Sequence, residues 1–211
     1  FGCGCGRRTA RPQMIKFHRT GSQRLMMDTH CHILPGPEDG SQNREQVMAM
    51  ARIAVGDGIR EVICTPHWTR GTFENSRQSI LDTLRDFREN LHRLGIPLSV
   101  HPGAELRIDF QIADKIREGE ILTLNDSGRF ALIELPAEFV PPGTEHFFYM
   151  LQVAGISPIA AHPERNPSLI KDPMRIYRWI ESGVLTQVTS RSLLGKFGEA
   201  VRKLCVLMIE H

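Results

Sequence analysis

The stretch LMMDTHCH, residues 25–32, ends in two histidines and runs into a Pro/Gly turn over residues 34–40. Residues 25–30 read as a strand, and strand side chains alternate with period two, so His30 and His32 share one face. The same pattern recurs along the chain. Residues 61–65 form a β-branched run stopped by Pro66, and 98–100, 131–135, 156–161 and 184–188 read as further strands. Helices are expected between them. One is capped by Ser41 and runs to residue 57, with Val47, Met50, Ala51 and Ala54 on one face. A second, over 76–94, repeats Ile80, Leu81, Leu84, Phe87, Leu91 and Leu94 at helical spacing before Gly95. Others are expected over 109–118, 145–154, 173–182 and 197–210. Six βα units with short connections imply a parallel sheet covered by helices. Six is too few for an eight-fold barrel and suits a seven-fold or truncated one.

Residues able to hold a metal gather at the same kind of place in each unit. His30, His32 and Asp39 follow the first strand, and His67 follows the second after Thr65-Pro66. Glu105 follows the third after Pro102-Gly103, Glu134 closes the strand over 131–135, and His162 follows residues 156–161. In a parallel βα barrel these strand ends converge on one mouth. His-x-His alone is weak evidence, and either glutamate alone could bind a backbone amide. The ordered set outweighs those separate readings. Imidazole and carboxylate donors suit manganese, zinc or iron, and a bridging carboxylate can hold two cations side by side. Such a cluster lowers the pKa of water. Arg165, three residues after His162, carries the fork geometry that grips phosphate oxygens. The other histidines, His18, His92, His101, His146 and His211, have no comparable placement and read as structural or solvated.

Composition narrows the class. With 41% hydrophobic and 24% charged residues, the chain fits one soluble globular domain of 211 residues. No apolar run approaches the ~18 residues of a membrane span, and no signal peptide is visible, so a cytoplasmic protein is expected. Residues 1–26 carry six basic and no acidic residues, so the whole chain's +2 leaves −4 for residues 27–211. This basic extension lacks apolar periodicity and interleaved aromatics, and it reads as disordered rather than nucleic-acid-binding. The chain is thus expected to divide into a disordered extension, 1–26, and one folded domain, 27–211. Cys3 and Cys5 are too isolated for a four-ligand zinc site, and Cys31, Cys64 and Cys205 read as reduced core residues.

At these residues the chain resembles the PHP (polymerase and histidinol phosphatase) superfamily. Within it, the chain is similar to the bacterial tyrosine-protein phosphatases of capsule and exopolysaccharide loci. The matching stretches are DTHCHILPG (28–36), DG (39–40), TPH (65–67), PGAE (102–105), LNDSGR (124–129), LIELP (132–136), AHPER (161–165) and SLLGKFG (192–198). The resemblance implies an α/β fold, a distorted seven-stranded (β/α)7 TIM-like barrel with its last strand or strands missing from this chain. It implies three Mn2+ ions, with Zn2+ or Fe2+ as substitutes, held by His30, His32, Asp39, His67, Glu105, Glu134 and His162. Glu105 would bridge two ions and act with Arg165, which would bind the phosphate. The implied partner is the phosphotyrosine tail of a cognate bacterial tyrosine kinase, with no nucleic acid involved. The alternatives are another phosphoesterase of the superfamily, acting on histidinol phosphate or nucleotides, and a non-catalytic kinase-binding regulator. Trp68 stands where many members have histidine, Glu38 replaces the first of an Asp-Asp pair, and Arg191 occupies a position that is normally small. A Ser-Asp-Ala-His segment that supplies two further ligands in the family would follow residue 211.

Overall fold

Strands and helices alternate through the computed structural model, which describes residues 26–35 and 43–210. The chain opens with β1 (Met26–Cys31), α1 (Arg44–Gly56), β2 (Ile59–Cys64), β3 (His67–Thr69), β4 (Phe73–Glu74) and α2 (Arg77–Arg93). It continues through β5 (Ser99–Pro102), β6 (Glu105–Arg107), α3 (Ile112–Arg117), β7 (Phe130–Glu134), α4 (Thr144–Val153) and β8 (Ser157–Ala161). It ends with α5 (Pro167–Lys171), α6 (Met174–Glu181), β9 (Leu185–Gln187), α7 (Ser190–Leu193) and α8 (Glu199–Glu210). The helices follow local chemistry. Ser76 caps α2 by accepting from the Ser79 amide at 3.2 Å, and Ile80, Leu84, Phe87 and Leu91 line its buried face. Gly95, at φ +63°, lets the chain turn out of that helix. The cap of α1 is Asn43, whose side chain accepts from the Gln46 amide at 3.0 Å. The expected cap, Ser41, lies outside the described residues.

The strands form two sheets, β1-β2-β5 and β4-β3-β6-β7-β8-β9, parallel throughout except for the β3–β4 pair. A closed seven-stranded barrel is therefore not what the described residues form. Two local breaks explain the division. Between β2 and β3 stands Pro66, which has no amide to donate to a ladder. Between β5 and β6 stands Gly103, where an added Cβ would meet Ile63 Cγ2 at 2.7 Å. Single backbone bonds still lace the breaks, from the Thr65 amide to Cys31 O at 2.9 Å and from the Glu105 amide to Pro66 O at 3.0 Å. Each broken strand thus passes from the smaller sheet into the larger one. His67 and Glu105 were expected in loops after their strands, but they begin β3 and β6 and pair directly.

Period-two alternation gives the two faces different jobs. One face sends Val62, Leu106 and Ile133 against the helices, where they meet Leu84, Phe87, Phe148, Leu151 and Trp179 in the main core. Full burial of each such side chain contributes roughly 1.5–3 kcal/mol. The other face carries a small cluster of Ile63, Leu124, Leu132 and Ala161. Glu105 and Glu134 lie in phase with this second face, an even number of residues from its members along the same or adjoining strand. Cys31 and Cys64 pack with the main core and are free thiols, as is buried Cys205.

Candidate metal centre

The ends of β1, β3, β6, β7 and β8 bring their polar residues together around Glu105, which is 1% exposed. Glu105 Oε2 lies 3.0 Å from His30 Nε2, 3.0 Å from His32 Nε2 and 3.3 Å from His67 Nδ1. Its second oxygen, Oε1, lies 2.8 Å from His162 Nε2. Two potential cation groups result, His30–Glu105–His162 and His32–His67–Glu105, and Glu105 belongs to both. Glu134 adjoins the second group, with Oε2 3.6 Å from His67 Nδ1 and 3.1 Å from Arg107 Nη2. His162 sits at φ +33°, a conformation side-chain-bearing residues avoid, and this twist carries the chain from β8 into the turn Pro163–Arg165.

Two observations fit a cation. His30 and His32 aim their Nε2 atoms at each other across 3.3 Å, an arrangement that two neutral lone pairs would oppose. His30 Nδ1 lies 3.0 Å from Gln187 Oε1, while Gln187 Nε2 donates to Val188 O at 3.2 Å. That orientation calls for a proton on Nδ1, so a neutral His30 turns its Nε2 lone pair inward, the tautomer a metal ligand needs, whereas a protonated one donates from Nε2 to Glu105. The charges respond to the crowding. Burial would raise the Glu105 pKa, but hydrogen bonds from His162, His30 and His32 outweigh it and hold the carboxylate far below its usual range. Glu134 is pushed upward, first by burial and then by the Glu105 charge, with Arg107 opposing.

Beside this cluster, Arg165 Nη2 donates to Thr189 Oγ1 at 2.7 Å, and its buried Nε has no hydrogen-bond partner. The Arg165 guanidinium also lies 4.4 Å from the Phe197 ring centroid. Glu164, fully buried, accepts from the Thr189 amide at 3.2 Å and so ties this turn to the chain after β9.

Residues 26–211 match the family model described as capsular polysaccharide synthesis, CpsB/CapC. The chain belongs to the CpsB/CapC family. It is 38% identical over 185 residues to the tyrosine-protein phosphatase YwqE of Bacillus subtilis, covering 88% of this chain and 72% of that protein. It is 34% identical to the putative tyrosine-protein phosphatase CapC of Staphylococcus aureus, with the same coverage. Against CpsB of Streptococcus pneumoniae the identity is 31%, over 78% of this chain and 68% of that one. The backbone superposes with a TM-score of 0.83 and 38% identity on a chain from the crystal structures of Bacillus subtilis YwqE and Streptococcus pneumoniae CpsB, described as unique metal-dependent tyrosine phosphatases. That match covers 88% of this chain and 74% of that one.

Within this CpsB/CapC fold the expected residues divide clearly. His30, His32, His67, Glu105 and His162 converge, Glu134 adjoins them, and Arg165 stands on the turn that follows His162. Asp39, with Glu38, lies outside the described residues, as do His18, His211, Cys3 and Cys5. Trp68 is 4% exposed and packs in the main core, so its side chain belongs to the face away from the ligands. His101 makes a 3.0 Å contact with Glu61, in keeping with a structural role. The sequence reading missed Gln187, Arg107 and Thr189, which orient His30, face Glu134 and hold Arg165 respectively. Gln187 carried a usable signal: it is a polar residue near the end of a strand, as is the His30 it contacts.

Proposed function

We propose that this chain is a metal-dependent protein-tyrosine phosphatase. It hydrolyses phosphotyrosine on the tail of a cognate bacterial tyrosine kinase in the cytoplasm and so regulates capsule or exopolysaccharide synthesis. The observation that carries the reading is the shared Glu105 carboxylate, which belongs to both histidine groups, with His30, His32 and His67 at Oε2 and His162 at Oε1. His30, Glu105 and His162 would hold one divalent cation, and His32, His67 and Glu105 a second, with Glu134 and Asp39 completing a three-ion set. Manganese is the metal that the family resemblance implies, and the mixed imidazole and carboxylate donors would suit zinc or iron as well. Bound there, the cations supply a lowered pKa for water and positive charge facing the phosphoryl oxygens. Residues 27–211 form the phosphatase domain in this reading.

The protein's own contributions are positional. Gln187 keeps the His30 ring in one tautomer, and Arg165, held by Thr189, would bind a phosphoryl oxygen through its guanidinium. A tyrosine phenolate, with a pKa near ~10, leaves with less protonation help than an alkoxide. The names of the relatives support tyrosine phosphate over other monoesters. Phosphate release should be compared for a phosphotyrosine peptide and histidinol phosphate in manganese buffer, with and without chelator. Faster, chelator-sensitive turnover of the peptide is expected. Faster turnover of histidinol phosphate would overturn the substrate choice, and stoichiometric peptide binding without phosphate release would favour a regulator.

A further inference from the structure

The chain after β9 carries a charge arrangement that metal binding does not use. Arg165 and Arg191 place their guanidinium carbons 4.4 and 5.4 Å from the centroid of one ring, Phe197, which is 40% exposed. Arg191 is exposed on α7 and makes no ion pair among the described residues. Residues 188–198 include Arg191 and Lys196 and no acidic residue. The Lys196 amide donates to Arg191 O at 3.0 Å, so the loop folds its second cation back towards the first. The nearest acid along the chain, Glu199, is engaged by Arg202 at 3.0 Å. Glu164 is the carboxylate packed beneath this turn, and it is buried and held by the Thr189 amide rather than by either arginine. Two like charges beside one ring oppose each other, and an anion next to them relieves the repulsion.

We propose that Arg191 is a specificity-determining residue that binds an acidic side chain flanking the phosphotyrosine while Arg165 takes the phosphate itself. This rests on the phosphotyrosine reading above. Phe197 is the ring that both guanidinium groups adjoin, with Arg165 held by Thr189 Oγ1 and Arg191 left exposed. A carboxylate one or two residues from the phosphotyrosine then meets Arg191 and Lys196, and a peptide with neutral flanks does not. The contact is exposed to water, so its effect is modest and sensitive to salt.

The test uses two peptides bearing the non-hydrolysable phosphonomethyl analogue of phosphotyrosine, one flanked by glutamates and one by alanines. Binding is measured by fluorescence anisotropy in manganese buffer. The wild-type chain should prefer the glutamate peptide by about 3- to 5-fold at low salt, and less at high salt. Arg191→Gln should bring the two peptides to near-equal affinity while leaving the alanine peptide unchanged, and Arg191→Lys should keep most of the preference. A wild-type chain without the preference, or an Arg191→Gln chain that retains it, overturns the inference alone. Failure of the wild-type chain to bind either peptide overturns the phosphotyrosine reading and this inference together. An unchanged melting temperature for Arg191→Gln separates recognition from folding.

Discussion

Glu105 concentrates the chemistry of the site because Oε2 faces His30, His32 and His67 while Oε1 faces His162, so the one carboxylate belongs to both histidine groups. A bridging carboxylate needs both oxygens to be electron donors, and a glutamine of the same size replaces one of them with an NH2 donor. Glu105→Gln should therefore weaken manganese binding at both groups by about 10- to 100-fold, a loss typical of disturbed metal surroundings. His162→Ala should weaken the His30 group and spare the His32 group, since only the first includes it. Titration calorimetry distinguishes the two variants by the number of ions bound. Equal stoichiometry and affinity in Glu105→Gln and the wild-type chain would remove the bridging role. Most of these clustered residues were legible in the sequence because each stands at a strand end, where alternation and βα order limit where it can point. Gln187, Arg107 and Thr189 were not, because their roles depend on which strand end meets which, a contact between residues far apart along the chain.

Short elements were the hardest to read, and His67 and Glu105 sit in two of them. The three-residue strands β3 and β6 are too brief for an alternation signal, and each lies just past a chain-turning residue. The break at Gly103 is itself a packing requirement. A methyl group there meets Ile63 Cγ2 at 2.7 Å and Cys64 O at 3.3 Å, so strand or side chain must move. Gly103→Ala should cost about 1–3 kcal/mol of stability and, by displacing β6, should also lower metal affinity. Loss of stability with metal affinity intact would show that β6 is positioned from its other side. Between helices, Glu145 of α4 joins α6 by accepting from Arg175 Nε at 2.7 Å and Trp179 Nε1 at 2.9 Å. The Arg175 hydrogen bond, outweighing burial, pulls the Glu145 pKa from 4.5 down to about 2. A depressed carboxylate stabilises the fold above its ordinary pKa, and that stabilisation fades as pH falls from 4.5 towards about 2. The side chain is 51% exposed, so solvent screening leaves about 1 kcal/mol. Glu145→Gln should melt lower than the wild-type chain at neutral pH, with the gap narrowing across that acid range. A gap independent of pH would assign the effect to packing.

At the scale of the whole molecule, the two sheets have little ladder in common. The alternation of strands and helices was legible, but the division into two sheets was not, because Pro66 and Gly103 break hydrogen bonding without interrupting the βα order. Between β1 and β9 the described residues form no ladder, and the Gln187–His30 contact spans that side. The clustered residues bridge the division: His30 and His32 come from β1 and the residue after it, while His67, Glu105 and His162 come from β3, β6 and the end of β8. Cations in the site would therefore tie the smaller sheet to the larger one, so metal should act on stability as well as on turnover. A ligand present at 100 times its Kd stabilises the folded state by about 2.7 kcal/mol. For a chain of this size each kcal/mol moves the melting temperature by ~2–4 °C, so manganese should raise it by roughly 5–10 °C and chelator should reverse the change. Hydrogen exchange should slow at amides of both β1 and β8, which belong to different sheets. In Glu105→Gln both effects should largely vanish. Protection confined to one sheet, or an undiminished shift in that variant, would mean that the metal binds without joining the two halves.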